Sequence, residues 1–277
     1  MSLCRRMFFA GFAGALVCAG AVRAEDHFIT LASTTSTEQS GFFDHILPIF
    51  TGESGIIVHV VAVGTGQALA IGARGDADAL LVHDRLGEDK FVADGNGIDR
   101  RNVMFNDFVL VGPKADPAHV RGLKDAREAL KRIAAARAAF ASRGDDSGTN
   151  RLELRLWTAT KVDVKAAGTG WYRELGSGMG PTLNTSAGLN AYTLADRATW
   201  ANFANRRSLE ILVEGDPALF NPYGSILVNP RKFPGVKAAD ARKWHEWLTS
   251  AAGRAAISSY KIKGEQLFFP LGDTPRS

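Results

Sequence analysis

Short apolar strands alternate with helical stretches along this chain, and that alternation constrains its fold more than any other feature. Phe28, Ile29 and Leu31 open a short strand, and a helix-like stretch begins near Gln39. Ile56 to Val63 (IIVHVVAV) reads as a buried strand, followed by the loop Gly64-Thr65-Gly66 and a helix from Gln67 to about Arg74. Ala79 to Val82 is strand-like and Glu88 to Ala93 helical. Val103 to Val111 (VMFNDFVLV) is a longer strand stopped by Gly112-Pro113. Strands interleaved with helices bury sheet faces under helices, which argues for a mixed, mostly parallel α/β sheet.

A second unit follows the boundary at Pro113 to Pro117. Leu123 to Ala139 is rich in Ala, Arg and Lys with apolar spacing, the pattern of an amphipathic helix. Next come a strand at Ala139 to Ser142, a charged loop, and a helix from Thr149 to Thr160. Gly176-Ser177-Gly178-Met179-Gly180 opens a further helix, and Ala191 to Leu194 is strand-like. Leu209 to Val213 and Ser225 to Val228 are apolar strands separated by the turn-rich Gly215 to Gly224. A helix with Trp244 and Trp247 on one face runs from about Val236 to Ile257. The chain returns to the first unit near Asn221 to Asn229. The expected division is a first lobe of residues 25–112 plus 216–277 and a second of 113–215. A cleft between two such lobes is a natural place for a small ligand.

The first 24 residues read as an export signal. Arg5 and Arg6 form a basic start, Phe8 to Val22 is apolar, and Val22-Arg23-Ala24 ends on a small residue suited to cleavage. The mature protein is therefore expected to begin near Glu25 and to be periplasmic, by either the general or the twin-arginine route. Cys18 follows Ala15-Leu16-Val17, a poor context for lipid attachment. Both cysteines, Cys4 and Cys18, fall inside the signal, so the mature chain has neither a disulfide nor a thiolate metal site. Removing Arg5, Arg6 and Arg23 from the 33 basic residues leaves 30 against 29 acidic ones. That balance, with no basic stripe interleaved with aromatics, points away from nucleic acid.

The residues able to carry chemistry cluster at strand-to-helix junctions. Ser33-Thr34-Thr35-Ser36-Thr37 places five hydroxyls in a row before a helix. Helix N-termini present unpaired N–H groups and the positive end of a dipole, which favour an anion; a single hydroxyl would suffice for capping. Three more junctions have the same form: Gly64–Gly66, Arg143–Thr149 and Thr193–Thr199. In open parallel sheets such loops can converge on one cleft. The sharpest is Arg143-Gly144-Asp145-Asp146-Ser147-Gly148-Thr149, because a guanidinium fork donates charge-assisted bonds to an oxyanion. A capped helix start with a surface ion pair is its plainer explanation. Gly176 to Gly180 lacks the Lys and Ser/Thr of a phosphate-binding loop. Asp76, Asp78, His83 and Asp84 fit no Zn or Ca spacing. His27, His45, His59, His119 and His245 are scattered, no Gly-x-Ser-x-Gly elbow is present, and Asp107 reads as a buried structural carboxylate.

Taken together these stretches resemble the periplasmic tungstate-binding proteins of ABC importers (the Tup type) over nearly the whole mature chain. The motifs are Leu31–Thr37 (LASTTST), Val63–Ala68 (VGTGQA), Gly75–Asp84 (GDADALLVHD), Asn106–Pro113 (NDFVLVGP), Ser142–Thr149 (SRGDDSGT), Ala191–Arg197 (AYTLADR) and Leu212–Gly224 (LVEGDPALFNPYG). Ser33 stands where the family usually has a third Thr. The resemblance implies a two-lobed type II periplasmic-binding-protein fold that closes on tungstate, or molybdate, and docks on a permease. Residue by residue it implies oxyanion contacts from Thr35, Ser36, Thr65, Arg143, Ser147, Thr149 and Thr193. It implies no catalytic residue, no cofactor, no metal beyond the bound oxyanion, and a monomer. The nearest alternatives are a phosphate- or sulfate-binding protein of the same fold, with Asp145 accepting the proton that phosphate keeps. An unrelated alternative is a periplasmic hydrolase.

Overall fold

The structure, a computed structural model, describes residues 27–166 and 170–271. The export segment, including Arg5, Arg6, Cys18 and the cleavage region at Ala24, lies outside the described residues. In the first part of the chain β1 (Phe28–Thr34), α1 (Thr35–Gln39), α2 (Phe42–Ser54), β2 (Ile57–Val63), α3 (Thr65–Ala73), β3 (Ala79–Val82) and α4 (Arg85–Ala93) follow one another. β1 lies between β2 and β3 and is parallel to both, as helical crossovers require. After β4 (Gly97–Pro113) come α5 (Ala126–Ala135), β5 (Phe140–Ser142), α6 (Gly148–Thr160), β6 (Tyr172–Glu174) and α7 (Met179–Leu189). The chain then runs through β7 (Thr193–Asp196), α8 (Arg197–Asn202), β8 (Leu209–Val213), β9 (Phe220–Val228), α9 (Ala238–Thr249) and α10 (Ala251–Ser259). It ends in the short strands β10 (Lys261–Ile262), β11 (Glu265–Gln266) and β12 (Phe269–Pro270).

β4 is the spine that joins the two lobes. From Gly97 to Asp107 it pairs antiparallel with β9, and from Phe108 onward with β7 and then β8. The first sheet runs β12-β4-β9-β3-β1-β2, so it is parallel around β1 and antiparallel around β4. β4 is longer than the apolar run alone indicates, and Gly112-Pro113 lies within it. Pro113 tolerates that place because it sits at the strand's end. Gly112 is pressed on Tyr192, whose Cδ1 would come within 2.5 Å of any added Cβ.

Beyond Phe108 the strand alternates as a two-faced strand should. Phe108 and Leu110 join one core with Leu130, Ile133, Trp157 and Tyr192, while Val109 and Val111 join another with Met179, Leu183 and Trp200. The first lobe has its own core, in which Ile29, Leu31, Phe42, Ile46 and Phe50 pack on Trp244 and Phe268.

Helices α3 and α4 start two and three residues before the expected Gln67 and Glu88, and three other helical stretches differ for a local reason. The helix expected from Val236 to Ile257 is two, α9 and α10, because Ser250 takes an extended conformation and caps the second through Gly253 N (3.1 Å). The helix expected from Leu123 to Ala139 starts at Ala126, where Asp125 accepts from the amides of Arg127 and Glu128. The stretch near Gln39 breaks at Gly41, whose φ of +79° ends α1 and redirects the chain into α2.

Candidate functional site

Five strands of the two lobes end in loops that meet where the lobes face each other. β1 runs into Thr35 and Ser36, β2 into Thr65, β3 into His83, β5 into Arg143, and β7 into Asp196. Arg143 is the centre. Its side chain is 1% exposed, and Nε and Nη2 donate to Asp145 Oδ2 at 3.1 and 2.6 Å. Nη2 also reaches Thr35 Oγ1 of the first lobe at 3.4 Å, and Nη1 reaches Thr149 Oγ1 at 3.5 Å. These last two contacts are longer than a good hydrogen bond, so much of the fork's donor capacity is only loosely engaged.

Two helix starts are packed against each other beside it. Thr65 Oγ1 accepts from Gly148 N at 2.7 Å, and Gly66 N approaches Asp146 O at 3.4 Å. Gly64-Thr65-Gly66 allows this: a Cβ on Gly64 would lie 3.0 Å from Asp145 O, and one on Gly66 would strike the Asp146 carboxylate. Gly64 gives α3 no side-chain cap, whereas Ser147 caps α6 by accepting from Asn150 N at 3.2 Å. Asp145 Oδ1 in turn receives Ser147 N at 3.2 Å. Both carboxylate oxygens of Asp145 are therefore taken by donors within its own loop.

The hydroxyl row divides its labour. Ser33 donates to Leu81 O at 2.6 Å and belongs to the sheet, and Thr34 caps α1 through Thr37 N. Ser36 Oγ lies 3.2 Å from His83 Nε2, and the other ring nitrogen of His83 is 2.9 Å from Asn221 Oδ1. Burial, with the Arg143 charge adding to it, pushes the pKa of His83 down to about 4, so the imidazole is neutral at ordinary pH. Asp196 accepts from Thr199 N at 2.8 Å, and Thr199 Oγ1 reaches Ser36 O at 3.4 Å across the lobes. The second oxygen of Asp196 is buried with no partner among the described residues, and burial raises its pKa.

Thus Thr35, Arg143, Ser147 and Thr149 share one set of contacts around Arg143 and Asp145, Thr65 joins it through Gly148 N, and Ser36, the residue after Thr35, belongs to an adjoining group with His83. Thr193 is in neither: it pairs with Val111 three residues before the cleft end of β7, and its hydroxyl turns to Leu194 O at 3.5 Å. Asp107 is not the buried carboxylate expected from its apolar neighbours. It is about one-third exposed and paired with Arg197 at 2.6 Å, because β4 changes partners at this residue and opens its edge. Of the four residues weighed as a metal set, Asp76 pairs with Arg74, Asp78 receives the amides of Thr30 and Lys237, and Asp84 pairs with Arg151 and Arg155 of α6. His83 alone enters the site. Its position directly after an apolar parallel strand, like the other loops, was the signal that could have found it.

Comparison with known proteins bears on this geometry. A family model described as a PBP superfamily domain matches residues 21–252. The tungstate-binding protein TupA of Peptoclostridium acidaminophilum is 46% identical over 246 residues, spanning 87% of this chain and 85% of its own. The solved structure of TupA from Desulfovibrio alaskensis G20 superposes with a TM-score of 0.76 at 42% identity, covering 89% of this chain and 99% of that one. A tungstate ABC transporter structure from Geobacter sulfurreducens gives a TM-score of 0.76 at 48% identity, covering 84% and 98%.

Proposed function

Because this chain belongs to the PBP superfamily, and within it to the family of the Tup-type tungstate-binding proteins, we propose that it captures tungstate between its lobes for an ABC importer. It binds its ligand and does not transform it. The observation that carries this reading is the buried Arg143, which extends long, hydroxyl-ended contacts to Thr35 in one lobe and Thr149 in the other. Tungstate is a fully deprotonated tetrahedral dianion at neutral pH and needs donors only. Thr35, Ser36, Thr65, Arg143, Ser147 and Thr149, with the amides at the starts of α3 and α6, are the proposed donors.

Phosphate keeps a proton and needs an acceptor. Asp145 is the obvious candidate, but Oδ2 already receives both Arg143 donors and Oδ1 receives Ser147 N, which leaves it a single lone pair. Molybdate has the charge and shape of tungstate and is the proposed secondary ligand. Calorimetric titration should give tight tungstate binding, weaker or comparable molybdate binding, much weaker sulfate binding and no heat with phosphate. Phosphate binding as tight as tungstate would reverse the assignment.

We place the lobes as a first of residues 25–112 plus 216–277 and a second of 113–215, hinged where β4 exchanges β9 for β7. The protein acts as a monomer in the periplasm, cleaved near Ala24, and docks on the permease when closed. Intact-mass measurement of exported protein tests the processing, since a lipid on Cys18 would contradict it.

A further inference from the structure

We propose that His83 is a positioning residue of the oxyanion site: as a neutral imidazole protonated on Nε2, it turns the Ser36 hydroxyl toward the ligand. Asn221 and Asn106 hold it in that tautomer. The inference rests on the oxyanion reading above.

His83 is buried, and its ring is fixed on three sides. It stacks on Tyr223 at 4.8 Å and lies near Phe108 at 6.1 Å. The start of α6 presses on it so closely that a Cβ on Gly148 would stand 2.8 Å from Cε1. Ser36 Oγ is 3.2 Å from Nε2 and 3.1 Å from Thr34 Oγ1. A hydroxyl has one proton and two acceptor positions. If Nε2 is bare, Ser36 spends its proton on His83 and can show an anion only a lone pair, which repels it. If Nε2 carries the proton, Ser36 can accept from His83 and from Thr34, and its own proton is free for the ligand.

The tautomer is set by what the other ring nitrogen meets. With Asn221 Oδ1 toward Nδ1, Asn221 Nδ2 donates to Asn106 Oδ1 at 2.5 Å. Asn106 Nδ2 is then buried with no partner among the described residues. Turning both amides by half a rotation keeps their outline. Asn221 then donates to His83 Nδ1, Asn106 donates to Asn221, and the unpartnered atom becomes a carbonyl oxygen, a cheaper state than an orphan N–H. The hydrogen-bond accounting thus selects the Nε2–H form. The charged groups facing the ring, Arg143 and Asp84, act in opposite directions, and Tyr223 is a neutral phenol.

Two substitutions separate positioning from packing. His83→Gln places an amide nitrogen where Nε2 stood and can still donate to Ser36. His83→Asn reaches only the Nδ1 position and keeps the Asn221 contact alone. By calorimetry, Gln should bind tungstate within about twofold of wild type, and Asn about five- to tenfold more weakly, one hydrogen bond's worth. Equal losses in both, or none in either, would overturn the role. Imidazole-nitrogen NMR on the unmutated protein gives an independent readout. The tungstate-bound form should show neutral His83 with its proton on Nε2; a proton on Nδ1, or an imidazolium, overturns the proposal. Arg143→Gln serves as the control for the site itself. If it binds tungstate like wild type, the oxyanion site lies elsewhere; if it is weakened while both His83 variants are not, only the His83 role falls.

Discussion

Arg100 and Arg143 are both buried guanidinium groups paired with a carboxylate, yet they do different work. Arg100 Nε donates to Glu88 Oε2 at 2.7 Å and Nη1 to Asn102 Oδ1 at 2.8 Å, while Nη2 stands 2.6 Å from Glu88 Oε2 off the line of a hydrogen bond. Glu88 Oε1 receives Asp84 N at 2.8 Å, and Gly224 packs so near that a Cβ would lie 2.2 Å from Oε2. All of these partners lie on α4, β4 and β9 or just before α4. Arg143 has one short partner, Asp145, and spends the rest of its fork on hydroxyls of both lobes at 3.4 and 3.5 Å. Short bonds closed within one lobe hold a fold together. Long bonds to rotatable hydroxyls at a lobe boundary can be exchanged for bonds to a ligand.

The largest effect should come from breaking the first pair. Arg100→Gln leaves Glu88 buried without its cation, and removing one partner of a buried pair typically costs about 3–5 kcal/mol. Burial already pushes the Glu88 pKa up to about 7, so the carboxyl can take a proton, which holds the loss near the lower end. Denaturant unfolding should show the drop, with tungstate affinity near wild type. A variant of normal stability that fails to bind would erase the contrast between the two arginines.

Glu153 sharpens the comparison because it is a buried carboxyl with no arginine at all. Ser142 Oγ, Tyr172 Oη and Trp157 Nε1 donate to it at 2.7, 2.8 and 3.1 Å, and burial pushes its pKa from 4.5 up to about 7. Between those values the folded protein holds a proton that the unfolded chain releases. Its stabilising contribution is therefore complete below the unfolded value and is lost as pH rises through about 7. The stability of Glu153→Gln relative to wild type should accordingly improve from acid to mildly basic pH, by up to about 3 kcal/mol. A difference that does not change with pH would mean that Glu153 stays ionised when folded.

Arg143→Gln should weaken tungstate binding about ten- to a hundredfold, since a charge-assisted contact contributes roughly 1.5 to 3 kcal/mol. The unliganded protein should lose less stability than Arg100→Gln does. Arg143→Lys keeps the charge without the fork and should fall between wild type and Gln. Calorimetry and denaturant unfolding on both arginine series decide whether fold and function are divided as the bond lengths indicate.

How much of this could be read from the sequence follows from the range of each interaction. β3 and the middle of β4 are legible because burial of both faces writes a continuous apolar run, whereas β2, expected to be buried, is the edge strand of its sheet with Ile57 and His59 exposed. The Arg143–Thr149 loop is legible because its fork, carboxylates and cap lie within seven residues. His83 was passed over because its partners come from elsewhere: Ser36 is 47 residues away and Asn221 is 138. Asp107 misled for the same reason, its neighbours being apolar while its partner Arg197 is 90 residues on. The break at Ser250 was hidden because the apolar period continues across it, and only the cap geometry shows that the helix restarts.

The smallest expected effect concerns Thr193, the one residue implied by family resemblance that stands apart from the network. Thr149 and Thr193 are both buried threonines of the second lobe, so replacing each with Val removes a hydroxyl at nearly constant volume. The Thr149 hydroxyl faces Arg143 Nη1 and lies in the first turn of α6, where an anion would be received. The Thr193 hydroxyl is spent on Leu194 O at 3.5 Å, inside the strand and away from its cleft end. A hydroxyl bond to the dianion is charge-assisted and worth about 1.5 to 3 kcal/mol, so Thr149→Val should bind tungstate roughly ten- to a hundredfold more weakly. Thr193→Val loses only a long internal contact and should stay within about twofold of wild type. Equal weakening in the two variants would mean that β7 contributes its first residue to the ligand. The cleft would then have to extend past Asp196 toward Val111, deeper into the second lobe than the Arg143 network reaches.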